Sequence, residues 1–455
     1  MKSIRFYLAL YGAKLFSKAL VMLHRNGTHN PGVLAMKICP DFLTQMDKPK
    51  TIIGITGTNG KTTTANMVND ILIENGFDPV SNRTGSNILG GIATTLINTL
   101  NWKGQVVKDL VVLELDERSS RLIYPHVHPT LLLVTNLFRD SFKRNAHSEF
   151  IFDILDQHIP ASTKLVLNGD DLVSARLAPN NDRVYFGIEP LEHEDMTSAN
   201  IIQDMPLCPY CGAPMQYEFR RYHHIGRAHC TRCDFGSPEL NYAVTSIKDG
   251  RLQMRIGDQV TDLKMVGSSH DAYNLASAVA LLSEFGLTPI QLRASIEKLQ
   301  ILKSRYIDQV IGGKRVISTL AKGQNPVACS RVFDTIRQTP GRKAVVLMID
   351  DLGDAETTSE NIAWLYDTDF EFLVDDSIIQ IICSGLRRLD HQVRLLVGGA
   401  DPSRITCIPE EADAVNAIRL DDVDTIFLLH DVYTAYKART AETILRARLE
   451  EKEEA

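Results

Sequence analysis

The 455-residue sequence predicts an α/β protein: a parallel-sheet nucleotide-binding domain with an inserted four-cysteine zinc ribbon, then a smaller Rossmann-like α/β domain. Three observations carry this. A Gly-rich loop ending in Lys-Thr separates an apolar run from a helix-like segment. Short β-rich runs alternate with helix-like segments over most of the chain. Four of the eight cysteines fall into two CxxC pairs.

Composition excludes some classes. Hydrophobic residues make up 44% and charged residues 23%, as in a soluble globular protein. A net charge of −7 argues against bulk nucleic-acid binding. No apolar run is long enough to span a bilayer. The stretch Ile4 to Leu23 is apolar but carries Arg5, Lys14 and Lys18, and it lacks a signal-peptide cleavage pattern. It is expected to pack on its own domain, with contact to a membrane surface as the alternative. Cys39, Cys329, Cys383 and Cys407 are scattered and read as free thiols, so a reduced, cytoplasmic compartment is expected.

Residues 1–48 read as a helical lead-in, 49–300 as the central nucleotide-binding domain and 301–455 as the C-terminal domain. Central strands are expected at Thr51–Ile55, Leu110–Leu115, Thr130–Val134, Lys164–Leu167 and Arg183–Phe186. The ribbon, roughly 203–240, interrupts this domain, and Met215–Phe219 and Tyr222–Ile225 read as its strands. Tyr242–Ile247 and Arg251–Ile256 read as a hairpin around Lys248-Asp-Gly250, followed by helices Asp271–Phe285 and Pro289–Leu299. The C-terminal sheet is expected to use Arg315–Thr319, Ala344–Ile349, Ile378–Cys383 and Asp424–Leu429, with a helix at Pro326–Arg337.

The phosphate loop is Gly57, Thr58, Asn59, Gly60, Lys61, Thr62 and Thr63. Backbone N–H groups there can cradle phosphate oxygens at a helix N-terminus. Lys61 is expected to reach the terminal phosphates of a nucleotide, and Thr62 to hold Mg²⁺. The strict consensus would need glycine at Ile55, so this is a variant loop. Cys208, Cys211, Cys230 and Cys233 match a four-thiolate zinc site, which leaves no open position and is therefore structural. A redox dithiol is the rival reading.

Gly54 to Thr63 resembles the ATP loop of the Mur ligases, relatives of the folylpolyglutamate synthases. The two cysteine knuckles, Pro206–Gly212 and Cys230–Pro238, resemble the MurT branch of that family, as does Ala363–Glu371. The resemblance implies a synthetase subunit that amidates the α-carboxylate of D-glutamate in lipid II to D-isoglutamine through an acyl phosphate. It implies ATP, Mg²⁺ and structural Zn²⁺, and ammonia from a class I glutamine amidotransferase partner. Lipid II would be met at the inner face of the plasma membrane. Residue by residue, it implies Glu114 for the magnesium, Asn136 for nucleotide or substrate, Asn274 near the adenine, Arg139 for phosphate or carboxylate and Arg305 for phosphate contact. Lys322 would reach the γ-phosphate, and Asp367 would complete the partner's catalytic triad. The family's Asp-Gly-x-Asp upstream of that aspartate is replaced by Glu356–Asn361, leaving Asp350, Asp351 and Asp354 as substitutes. A stand-alone amino-acid ligase and a non-catalytic zinc-ribbon scaffold are the competing functions.

Overall fold

The computed structural model describes residues 2–83, 85–140, 147–192, 194–265, 271–299, 306–350 and 362–454. The chain divides into two compact units. The first comprises Met1–Phe138, Ser148–Ser198 and Asp204–Ile301; the second comprises Arg139–His147, Ala199–Gln203 and Leu302–Ala455.

The first unit opens with α1 (Ile4–Met22), whose first turn is capped by Ser3 Oγ accepting from Phe6 N–H, and α2 (Asn30–Ile38). Phe6 stacks on Phe42 at 4.8 Å, which ties the lead-in to the same core as the sheet. Strands β1 (Thr51–Thr56), β2 (Val80–Ser81), β3 (Leu110–Glu114), β4 (Leu131–Val134), β5 (Lys164–Asn168) and β6 (Arg183–Ile188) follow. Their Val, Ile and Leu content suits strands covered on both faces by α3 (Lys61–Glu74), α4 (Leu89–Ile97) and later helices. The β7 (Met215–Tyr222) and β8 (Ile225–Cys230) pair is the ribbon. Then come β9 (Tyr242–Lys248), β10 (Arg251–Ile256), β11 (Gln259–Lys264), α5 (Ala272–Phe285) and α6 (Pro289–Lys298). The nine-stranded sheet has the order β11-β10-β9-β6-β5-β4-β1-β3-β2. It is parallel from β2 through β9, with β10 and β11 antiparallel at one edge.

The second unit is a six-stranded sheet ordered β12-β13-β17-β14-β15-β16. Its strands are β12 (Tyr306–Ile311), β13 (Lys314–Leu320), β14 (Lys343–Met348), β15 (Ile378–Ser384), β16 (Ile405–Ile408) and β17 (Thr425–His430). Only the β12–β13 pair is antiparallel. Helices α7 (Pro326–Gln338), α8 (Arg388–Val397) and α9 (Ala435–Glu454) complete it.

Two element readings need correction. Tyr222–Ile225 is not one strand: Tyr222 closes β7, Ile225 opens β8, and the chain reverses between them at His223, φ +48°, and His224. The expected hairpin after the ribbon gains a third strand, β11. Gln259, Thr261, Asp262 and Lys264 make that strand too polar to stand out by hydrophobicity.

Candidate functional site

The phosphate loop grows out of the carboxyl end of β1. Gly57 has φ +124°, and a Cβ there would overlap Thr135 Oγ1; Gly60 has φ +87°, and a Cβ there would overlap Asn274 Oδ1. Both positions therefore need glycine for conformation and for space. Gly60 is the N-cap of α3 and supplies no capping side chain, so the first N–H groups of that helix are left for an anion.

The loop is held from one flank by the end of β4. Thr58 N donates to Asn136 O at 2.8 Å, and Asn59 N donates to Asn136 Oδ1 at 2.9 Å. Asn136 Nδ2 returns a bond to Asn59 O at 3.1 Å, and Phe138 N donates to Thr58 Oγ1 at 2.9 Å. On the other flank stands Asn274 of α5, whose Nδ2 donates to Asp271 Oδ1 at 3.0 Å. Thr62 is half-buried and Thr63 exposed at the helix start.

Lys61 folds back over its own loop. Its Nζ donates to Gly57 O and lies 2.9 Å from Glu117 Oε1, with the two side chains 14% and 6% exposed. Burial pushes the Glu117 carboxyl above its ordinary value, against the pull of Lys61. Glu117 is a site residue that the sequence reading passed over. It belongs to the Glu114–Glu117 segment, but spacing alone does not say which acid faces the lysine. Glu114 is the last residue of β3, and its Oε1 accepts from Asn87 Nδ2 at 3.1 Å. Asn82 brackets it, accepting from Glu114 N at 2.9 Å and donating to Glu114 O at 2.8 Å. The polar loop Asn82–Asn87 thus orients this acid.

The four cysteines come together. Their Sγ atoms all lie within 4.8 Å of one another, with Cys208–Cys233 at 3.6 Å and Cys211–Cys230 at 3.4 Å. A tetrahedron with Zn–S near 2.3 Å has edges of about 3.8 Å, so the set fits zinc with no residue left over. Gly212, at φ +69°, turns the first knuckle, and Gly212 N donates to Cys208 O at 2.9 Å. The Ala213 N–H, with the neighbouring thiols, holds the Cys211 thiol down to about 6, close to the thiolate form that zinc binds.

The ribbon is stapled to the nucleotide edge of the sheet by two polar arms. In the first, Arg221 Nη1 lies 3.1 Å from Asp170 Oδ2 and 2.7 Å from the Tyr273 hydroxyl, which itself donates to Asp170 Oδ2 at 2.7 Å. Tyr273 precedes Asn274. Burial pushes the Asp170 carboxyl up, and the Arg221 guanidinium pulls it back. In the second arm, His224 Nε2 lies 3.0 Å from Asp171 Oδ1, with both side chains wholly buried. Asp171 Oδ2 accepts from Leu137 N at 2.7 Å, next to Asn136. Ribbon residues Met205, Cys208, Met215 and Tyr217 share one apolar core with Leu172, Val173 and Leu177.

In the second unit, Asp367 ends the short helix Trp364–Asp367, and its Oδ2 lies 3.5 Å from Arg139 Nη1. Lys322 is exposed in the turn after β13 at φ +51°, unusual for a residue with a Cβ. The neighbouring Gly323 N donates to Asp431 Oδ2 at 2.6 Å. Asp350 accepts from Leu386 N at 2.6 Å and Arg387 N at 3.1 Å. Arg305, Asp351, Asp354 and Glu356–Asn361 lie outside the described residues.

This strand–loop–helix at the end of a doubly covered parallel sheet, followed by a second α/β unit, defines a Mur-type ATP-dependent ligase. The architecture is similar to a pseudomurein peptide ligase type C from Methanothermus fervidus, with a TM-score of 0.68 at 18% identity over 89% of this chain and 81% of that one. The family model for the MurT ligase C-terminal region matches residues 322–436. The chain is 31% identical over 397 residues to the MurT subunit of the glutamine-hydrolysing lipid II isoglutaminyl synthase of Staphylococcus aureus strain COL, covering 86% of this chain and 88% of the relative. It is 30% identical over 416 residues to the corresponding subunit of Streptococcus pneumoniae, covering 90% of each. The chain belongs to the MurT family.

Proposed function

We propose that this chain is the synthetase subunit of a lipid II isoglutaminyl synthase. ATP gives its γ-phosphoryl group to the α-carboxylate of D-glutamate in the lipid II stem peptide, releasing ADP. Ammonia attacks the resulting acyl phosphate, phosphate leaves, a proton is lost, and the carboxylate has become an amide. The observation that carries this reading is the uncapped α3 N-terminus behind Gly57–Lys61, in a chain matching MurT relatives along most of its length.

Lys61 is assigned to the β- and γ-phosphates, where its charge offsets that of the transferring group. Thr62 and Glu114 would hold Mg²⁺, which would supply positive charge to offset that of the phosphates. Asn136 and Asn274 keep the loop shaped for nucleotide. Arg305 and Lys322 are assigned to phosphate contact from the C-terminal domain. A class I glutamine amidotransferase subunit would supply ammonia, and Asp367 is assigned to orient that partner's catalytic histidine. The Arg139 ion pair supports a fixed carboxylate at that position.

The test is amidation of lipid II by this chain with ATP and Mg²⁺, supplied with ammonium chloride or with glutamine. Mass spectrometry reads the loss expected when OH becomes NH₂. Amidation with ammonium alone supports the synthetase and its need for a partner. ATP binding without amidation under either condition would move the assignment to an amino-acid ligase or a scaffold.

A further inference from the structure

Helix α1 is apolar on two opposite sides. Its inner side, Phe6, Ala9, Leu10 and Ala13, is buried in the core of the first unit, and Leu20 further along the same side is buried too. Its outer side carries Ile4, Leu8, Tyr11, Leu15 and Met22, exposed by 81%, 57%, 40%, 61% and 81%. Steps of four, three, four and seven residues keep these five on one stripe that runs the length of the helix. A water-facing helix side would instead carry Lys, Glu or Gln there, so the stripe calls for a cover.

Along its own stretch of sequence the charge is one-sided, although Lys2 pairs with Asp47 at 2.7 Å near the start of the helix. No Asp or Glu occurs in residues 1–40, which hold Lys2, Arg5, Lys14, Lys18, Arg25 and Lys37. All 56 acidic residues of this net −7 chain lie beyond. Beside the stripe sits Trp102, 41% exposed, with its ring 6.0 Å from that of Tyr11. The ammonium groups of Lys14 and Lys18 lie 5.7 Å and 5.2 Å from the Trp102 ring centroid. Indole and phenol rings flanked by lysines are the side chains that settle at a headgroup boundary, with apolar neighbours reaching below it.

We propose that this outer face of α1, with Trp102, docks the protein flat onto a bilayer carrying anionic headgroups. The cationic flanks select the anionic surface, and the stripe supplies apolar burial. The helix lies on the membrane and does not enter it end-on, because its other side is part of the protein core. No helix among the described residues is long and apolar enough to cross a membrane. The inference does not depend on the amidation reading, since it needs neither ATP nor substrate.

The experiment is co-sedimentation of the full chain with vesicles of phosphatidylcholine alone or mixed with phosphatidylglycerol, alongside tryptophan emission. Of the two tryptophans, Trp364 is only 6% exposed, so a blue shift reports Trp102. Binding should be about tenfold or more tighter to the mixed vesicles and should weaken with salt. Leu8→Glu with Leu15→Glu should lose about tenfold or more of it while ATP binding and melting temperature hold. Lys18→Glu gives a second variant that leaves the apolar stripe intact and should weaken binding to mixed vesicles only. Absent sedimentation with anionic vesicles, or equal binding by the variants, overturns the proposal. So does a double variant that keeps vesicle binding but loses a partner subunit or self-association in size-exclusion chromatography. Ammonium-dependent amidation of a water-soluble stem-peptide substrate by the double variant separates this outcome from failure of the functional reading.

Discussion

Arg221 reaches from the end of a zinc-ribbon strand to Asp170 at the carboxyl end of β5, Nη1 to Oδ2 at 3.1 Å, with the aspartate 1% exposed. The Tyr273 hydroxyl meets the same oxygen at 2.7 Å. Tyr273 sits in the first turn of α5, and the next residue, Asn274, stands against Gly60 of the phosphate loop. Buried polar contacts therefore join the ribbon to α5 one residue away from the side chain packed against Gly60. Tyr273→Phe keeps the ring packing and deletes two bonds, one to a buried carboxylate and one from Arg221, which costs about 1–3 kcal/mol. The expected result is a several-fold rise in KM for ATP with kcat little changed, zinc content unchanged and a modest fall in Tm. Metal analysis and ATP kinetics on one preparation check this. An unchanged KM would mean that the arm serves only stability.

Removing zinc should act through both arms. Cys230→Ser breaks the sulfur set, and structural zinc sites commonly contribute on the order of 10 kcal/mol of binding free energy to the fold around them. Without the metal, the hairpin carrying Arg221 and His224 loses its anchor, and Asp170 and Asp171 each lose their ribbon partner while keeping Tyr273 and Leu137 N. The variant should bind no zinc, melt at a lower temperature and bind ATP at least several-fold more weakly with Mg²⁺ in excess. Calorimetric titration with ATP decides it: normal affinity in a zinc-free, folded variant would separate the ribbon from the nucleotide site.

Much of this fold was readable from the sequence, for physical reasons. The strands of the two parallel sheets are covered on both faces, so they appear as short Val, Ile and Leu runs, and the strand–loop–helix around Gly57–Lys61 follows from residue order. Strand β11 has no hydrophobic signature because one face carries Val260, Asp262 and Lys264 and the other only Leu263 as an apolar residue beside Gln259 and Thr261. The ribbon turn was misread because Tyr222 and Ile225 have strand-like side chains while His223 reverses the backbone. The arms were invisible for another reason. Asp170 and Tyr273 are 103 residues apart in sequence, and side chains that meet across an insertion leave no local signal.

Glu117 gives a prediction about pH. Burial raises its folded-state value above the ordinary carboxyl range, so between the two values the native protein holds a proton that the unfolded chain has released. Stability attributable to this group is therefore present at low pH and is lost as pH rises through the raised value. Glu117→Gln should remove that component, and the difference in Tm between variant and parent should shift in favour of the variant as pH climbs above the ordinary carboxyl value of 4.5. The same change releases Lys61 from its buried counter-charge, and turnover with ATP should fall by about tenfold or more. Melting curves at several pH values, with amidation rates beside them, test both parts.

Asp367→Asn separates two jobs for one carboxylate. On the proposed role, the asparagine variant amidates normally with ammonium but loses glutamine-dependent amidation by about 10³-fold or more in the two-subunit enzyme, as expected when a triad carboxylate is neutralised. If the carboxylate mainly holds Arg139, both activities should fall together. Glutamate release by the partner, measured without ATP turnover, reports the first effect directly.

His391 makes the acid side of the stability profile predictable. It is wholly buried against Trp364 and Phe370, and neither ring nitrogen has a hydrogen-bond partner among the described residues. Burial first, then the nearby Arg387 charge, push its value down to about 3. The unfolded chain takes up a proton near the ordinary value of about 6.5, while the native imidazole stays neutral. Protonation thus favours unfolding, and stability is lost as pH falls from about 6.5 toward 3, at up to about 1.4 kcal/mol per pH unit. His391→Leu removes the titrating group and two unsatisfied ring nitrogens while nearly keeping the volume. It should raise Tm at pH 5 more than at pH 8, and an equal shift at both would remove His391 as a source of acid sensitivity.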